Sequence, residues 1–287
     1  MIGKTQASDL SVANLTVGGG SPIALIEAAA AAGFGKVGLL LQSAMQKPVE
    51  YEIVGRPEVV REINAACRAT GVRVFDVEAF VLSPAARLDA YRPSLAAGAE
   101  LGATHISTIG TELLTNDSFL SAQERIDLFG ALCDAAAAFG LHVGIEFMFY
   151  RDVRTLGDAL TLLDAVGRRN AGVIVDALHF NRSSARLEEL DAVPGERLAY
   201  VQLCDAVAAI PPLDALAKEA RTSRLHPGDG VLPLNAILDR IPAGTQLVIE
   251  TPVQADASLS TPQKLARAAE ATRRFLDDRH AANRMTA

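Results

Sequence analysis

Eight short apolar runs recur along this chain of 287 residues, and the stretches between them are rich in Ala, Leu and charged residues at helical spacing. The runs cover residues 10–17, 36–41, 72–81, 105–110, 141–148, 171–176, 199–204 and 246–251. They are β-branched and continuous rather than alternating, which reads as strands buried on both faces of a parallel sheet. Helices are expected at 22–33, 57–71, 84–102, 118–140, 153–167 and 261–279. The first opens on Ser21 as N-cap with Pro22 behind it, and the first four close on Gly33, Gly71, Gly102 and Gly140, which suit a left-handed cap. Between Cys204 and Leu232 the chain is longer and irregular, with Pro211-Pro212 and Pro227-Gly228, as expected of a functional loop carrying a short helix. Eight strands alternating with helices predict an α/β protein, a (β/α)8 TIM barrel formed as a single domain over 1–287, with a polar C-terminal tail from about 280. An open doubly wound sheet fits less well, because no G-x-G-x-x-G follows a strand. Gly18-Gly19-Gly20 lacks the Gly-Lys-Ser/Thr of a phosphate loop and reads as a flexible turn.

Composition narrows the partners. The net charge is −7 with no Lys/Arg cluster, which argues against a nucleic-acid groove. Nothing at the N-terminus resembles a signal peptide and no apolar run approaches the roughly 18 residues of a membrane span, so a cytoplasmic protein without membrane partners is expected. Cys67 and Cys133 fall in helical stretches and read as small buried hydrophobes rather than disulfide partners or zinc ligands.

Four runs in the second half each lead into a side chain with a donor oxygen: Glu146, Asp176, Gln202 and Glu250. In a parallel barrel the carboxyl ends of the strands face one mouth. Three carboxylates and an amide oxygen meeting there form an oxygen-rich site for a hard or borderline divalent cation. A single acidic residue at a strand end is more often a helix N-cap; four in successive strands call for a ligand. His179 follows Asp176 at i+3 and points into the mouth, where it can ligate metal, bind a substrate hydroxyl or shuttle a proton. His226, in Arg224-Leu-His-Pro-Gly-Asp-Gly, lies on a tight turn that either brings Arg224 and backbone amides to a ligand or is an ordinary surface turn. Glu78, late in the third run, also reaches toward the mouth. His105 and His142 begin their runs, hence belong to the opposite, stability face, and His280 belongs to the tail.

The ordered motifs Gly-Ile-Glu146-Phe, Val-Asp176-Ala-Leu-His179, Val-Gln202-Leu-Cys-Asp205, Arg224-Leu-His-Pro-Gly-Asp-Gly and Val-Ile-Glu250-Thr resemble the xylose-isomerase-like TIM-barrel superfamily over nearly the whole chain. That group includes sugar-phosphate isomerases and epimerases, tagatose-type ketose 3-epimerases, inosose dehydratases and 3-dehydroshikimate dehydratases. The resemblance implies one divalent metal, Mn2+, Mg2+ or Co2+, held by Glu146, Asp176, Gln202 and Glu250. It implies substrate oxygens bound by His179 and Arg224. Ketose epimerases typically place histidine at the third ligand position, so Gln202 departs from them and is associated with the dehydroshikimate dehydratase branch. Repair endonucleases of the same superfamily need a histidine-rich trinuclear zinc site, which five histidines and an acidic surface do not supply.

The chemistry expected is proton abstraction beside a carbonyl. A cation holding a carbonyl and its neighbouring hydroxyl acidifies the carbon-bound proton between them, and Glu146 or Glu250 removes it, with His179 assisting. Return of that proton gives an isomer or epimer; loss of a β-hydroxyl gives dehydration. The leading expectation is a metal-dependent isomerase or epimerase of a sugar, cyclitol or related hydroxy-carbonyl compound, with Arg224, His226 and Glu78 on the substrate. A lyase of the 3-dehydroshikimate or inosose type is the alternative, and a non-catalytic sugar-binding barrel the third reading. The partner expected is a small-molecule substrate; self-association into a homo-oligomer is left open.

Overall fold

The computed structural model describes residues 7–43 and 48–286. Eight parallel strands follow one another in chain order and close into a barrel: β1 (Ser11–Val12), β2 (Lys36–Leu40), β3 (Arg73–Val81), β4 (His105–Ile109), β5 (His142–Glu146), β6 (Ala171–Asp176), β7 (Leu198–Leu203) and β8 (Leu247–Ile249). β8 pairs back onto β1, Ser11 facing Val248. Around them, among the described residues, lie α1 (Pro22–Ala32), α2 (Pro57–Thr70), α3 (Leu88–Glu100), α4 (Ala122–Ala137), α5 (Leu156–Val166), α6 (Ala177–Arg182), α7 (Leu213–Thr222), α8 (Leu234–Arg240) and α9 (Thr261–Thr286). The (β/α)8 expectation therefore holds. Strands covered on both faces explain the continuous apolar runs; every residue of β6 is buried.

Pleating sends alternate side chains into the barrel and out to the helices. Ala13, Phe75, Ile174, Tyr200 and Val248 form an interior cluster separate from the large outer core. Glycines on neighbouring strands leave them room. A Cβ at Gly144 would lie 2.6 Å from Ile174 Cγ1, and one at Gly38 would lie 2.8 Å from Asp76 Oδ1. The N-terminal end of the barrel is plugged by His105, stacked on His142 at 5.3 Å and against Phe75 at 4.7 Å. Burial, with His142 beside it, holds His105 down at about 4.

Several boundaries differ from the sequence reading. The first strand is only Ser11–Val12, and Asn14–Thr16 forms a 3-10 turn. There Thr16 replaces ladder pairing: its Oγ1 donates to Ile249 O and accepts from Thr251 N, each at 3.0 Å. Ser21 caps α1 as expected, accepting from Ala24 N, and Gly33 and Gly71 are left-handed caps at φ 91° and 78°. α4 starts after Ser121, not Ser118, because Ser121 and Glu124 form a reciprocal capping box. α6 and α8 were not anticipated. The expected tail from about 280 is instead a continuation of α9 to Thr286, since no Gly or Pro follows Pro262 to stop the helix. Cys133 and Cys204 are buried and free, whereas Cys67 is only half-buried. Residues 1–6, on which the reading of the N-terminus partly rests, and Ala287 lie outside the described residues. Among those described, no helix is long and apolar enough to cross a membrane.

Candidate metal centre

Glu146 ends β5, Asp176 ends β6, Gln202 is the penultimate residue of β7 and Glu250 follows β8, so all four stand at the carboxyl rim of the barrel. One carboxylate oxygen from each of Glu146, Asp176 and Glu250 lies within 4.8 Å of the other two. Gln202 Nε2 donates to Glu250 Oε1 at 3.0 Å, which leaves Gln202 Oε1 buried without a hydrogen-bond partner. Glu146 Oε1 and His179 Nε2, 3.7 Å apart, are also buried without one. Buried polar atoms left unpaired are costly, and these belong to the carboxylate cluster and to its direct neighbours His179 and Gln202. A divalent cation satisfies such a group, so the donor set fits a metal.

Arg224 supplies the counter-charge. Its Nη1 donates to Asp176 Oδ2 at 2.5 Å and Nη2 pairs with Glu250 Oε2 at 2.8 Å, while Nε donates to Ala220 O at 2.7 Å. Burial pushes Asp176 up, but Arg224, His179 and the His179 backbone N–H outweigh it and hold the carboxyl below the usual range. Glu250 is raised to about 7, by burial first and by Asp176, against the pull of Arg224. Burial and the Glu250 charge push Glu146 well above its ordinary value. One layer deeper, Asp76 accepts from the Tyr200 hydroxyl at 3.4 Å and is raised to about 7 by burial and by Glu250. The interior thus concentrates carboxyl groups around one guanidinium, an arrangement that added positive charge would relieve.

Local sequence places each group. Asp176 Oδ1 accepts from His179 N at 3.0 Å, so Asp176 caps α6 while its other oxygen accepts from Arg224. Capping and ligation are compatible uses of one carboxylate. Tyr150 packs edge-on to His179, with ring centroids 5.7 Å apart, and fixes the imidazole. Burial, then the Arg224, Arg151 and Arg221 charges, hold His179 at about 3 despite Asp176, so it is neutral at pH 7. The turn after Arg224 is organised by Asp205, which accepts from Gly228 N at 3.1 Å and Leu232 N at 2.9 Å. A Cβ at Gly230 would overlap Asp205 Oδ1 and Ala206 O, hence the glycine. Asp205 and Leu225 also exchange both backbone hydrogen bonds, which brings Arg224 inward.

Above the centre opens a cavity of about 380 Å3, lined by Glu78, Glu146, His179, Arg224 and Glu250 among others. Glu78 is brought to it, its carboxyl raised well above normal by burial and by Asp76. His226 is not among the lining residues. Its ring nitrogens meet Thr251 Oγ1 at 3.2 Å and Asp256 Oδ2 at 3.0 Å, which ties the turn to the segment after β8. Arg224 lines the cavity, but its hydrogen bonds go to protein groups. Sequence reading gave no role to Tyr150, Arg151 and Arg221, which line the cavity, nor to Asp76, nor to Asp205 although it stands in one of the motifs. Tyr150 and Arg151 follow Glu146 by four and five residues, so the loop after a ligand-bearing strand was the available signal.

Comparison with known proteins agrees with this architecture. The chain is 29% identical to an inosose isomerase of Bacillus velezensis over 112 residues, 38% of each protein. It is 27% identical over 235 residues to a 3-dehydroshikimate dehydratase of Pseudomonas aeruginosa, a stretch that is 79% of this chain and 35% of that protein. The matched stretches thus span less than half the length of these curated relatives. The crystal structure of the IolI protein with a zinc atom superposes with TM-score 0.78 at 17% identity, covering 94% of this chain and 98% of that one. The model of the family described as xylose isomerase-like TIM barrel matches residues 26–278, and with the closed eight-stranded barrel in place, this chain belongs to that family.

Proposed function

We propose that this protein is a divalent-metal-dependent isomerase or epimerase of a sugar, cyclitol or related hydroxy-carbonyl compound. The observation that carries the reading is the convergence of Glu146, Asp176 and Glu250 oxygens within 4.8 Å, beside the unpartnered Gln202 Oε1. These four side chains would hold the cation; an all-oxygen set suits Mn2+ or Mg2+, and the family resemblance adds Co2+. The IolI structure, which superposes on this barrel, holds a zinc atom, and this supports metal binding by the present chain. When bound, the metal would polarise a carbonyl and acidify the neighbouring C–H bond. Glu146 and Glu250, on strands that reach the mouth from different sides, exchange the proton with the carbon. Neutral His179 has a free ring nitrogen for a substrate oxygen, and Glu78 faces the same space.

A second reading, a lyase of the dehydratase type, is favoured by Gln202 in place of histidine and by the dehydratase relative matched over 79% of this chain. Proton NMR in heavy water separates the readings. Manganese-loaded protein incubated with ketoses, inososes and cyclic hydroxy-oxo acids should place deuterium on the carbon next to the carbonyl. A new vinylic resonance would identify the lyase, and loaded protein that exchanges no proton in any of these compounds would refute both.

A further inference from the structure

The loop after β5 and the last turn of α7 bring two arginines to one carboxylate beside the cavity. Arg151, whose side chain is 2% exposed, donates from Nη1 to Gly110 O at 2.7 Å and lies 3.5 Å through Nη2 from Glu112 Oε2. Arg221 pairs with the same oxygen of Glu112. Both arginines line the cavity and Glu112 does not. Two guanidinium charges against one carboxylate leave one unit of positive charge on this wall. Arg151 Nε is also buried without a hydrogen-bond partner, so a nearly dry guanidinium lacks an acceptor. The opposite sign prevails elsewhere on the lining, at Glu50, Glu78, Glu146 and Glu250.

We propose that Arg151 and Arg221 form a subsite for a carboxylate on the substrate, so that the substrate class is hydroxy-oxo carboxylic acids rather than neutral sugars. This rests on the reading above for the placement of the reacting carbons at the metal centre. A planar guanidinium fork matches a carboxylate in shape. The charge also selects it: one surplus positive charge balances a carboxylate, whereas a phosphate near −2 would add negative charge to an acidic cavity.

Calorimetric titration of 3,4,5-trihydroxycyclohexane carboxylate against its carboxamide, in metal-free and manganese-loaded protein, tests the subsite. Wild type should bind the carboxylate about tenfold or more tighter in both forms, the range of charge-assisted hydrogen bonds. Arg221→Gln should remove most of that preference. Glu112→Gln, which frees both guanidiniums from their internal partner, should enlarge it; a purely structural role would not move the two variants in opposite directions. Arg151→Met should act like Arg221→Gln, and the more exposed Arg221 keeps the test open if the buried change prevents folding. Equal affinity for the two probes, binding of neither at millimolar concentration, or an unchanged preference in Arg221→Gln would overturn the proposal. Tighter binding of a cyclitol monophosphate than of the carboxylate would overturn the choice of anion. Carboxylate preference without proton exchange refutes only the chemistry proposed above, and exchange without preference refutes only the subsite.

Discussion

Arg224 stands in the centre as a resident cation, one nitrogen on Asp176 and another on Glu250, in a side chain 1% exposed. Removing one partner of a buried ion pair leaves an uncompensated charge, at about 3–5 kcal/mol. Arg224→Met should therefore destabilise the metal-free protein by about that amount. Manganese should recover much of the loss, because it replaces the missing positive charge. Thermal melts with and without manganese check this, and an equal loss in both conditions would make the role of Arg224 purely one of packing. Proton transfer separates from metal holding in another variant. Glu250→Gln keeps a donor oxygen and should retain manganese while slowing exchange of the carbon-bound proton at least 100-fold, on the order of a general base's contribution.

The same carboxyl groups set a pH dependence. Asp76 and Glu250 titrate at about 7 in the folded protein, against roughly 4 in an unfolded chain. Between those values the folded state holds more protons. Their contribution to stability is therefore full below about pH 4 and is lost as pH rises through about 7. Metal-free protein should melt at a higher temperature at about pH 5 than at about pH 8, and manganese should flatten the trend. A melting temperature that rises over this window without metal would show that these carboxyls ionise freely on folding.

At the scale of elements, the glycines on the strands determine how the interior fills. Gly144 sits beside Ile174, with 2.6 Å between its would-be Cβ and Cγ1. Gly144→Ala should cost about 1–3 kcal/mol by overpacking, and adding Ile174→Val should restore part of it. Urea unfolding of the single and double variants measures the coupling; strictly additive losses would place the strain elsewhere. These glycines also mark what a sequence reveals. Strand runs were legible because burial on both faces makes them continuous, and the meeting of Glu146, Asp176 and Glu250 because a strand end in a parallel barrel has one destination. Short helices such as α6 and α8 were not, since six or seven residues carry too little periodicity. The early end of the first strand was hidden because the Thr16 hydroxyl takes up Ile249 O and Thr251 N where ladder pairing stops. His226 and Arg224 show the limit for side chains: chain position brought both near the mouth, but only three-dimensional partners show which one faces the cavity.

At the scale of the whole molecule, the barrel separates stability from chemistry. At one end His105 stacks on His142 and packs against Phe75; the other gathers the carboxylates, His179 and three arginines. The long segment between β7 and β8 returns Arg224 to the mouth through Asp205, so a loop far along the chain completes a centre built on strands 5 to 8. This division makes one claim central: the rim oxygens of Glu146, Asp176, Gln202 and Glu250 are a single metal site. Elemental analysis of folded protein after incubation with manganese and removal of free metal tests it most directly. Wild type should carry one manganese per chain, and Asp176→Ala should lose most of it with the barrel's circular dichroism retained. Equal manganese content in the two proteins, or none in wild type, would contradict it.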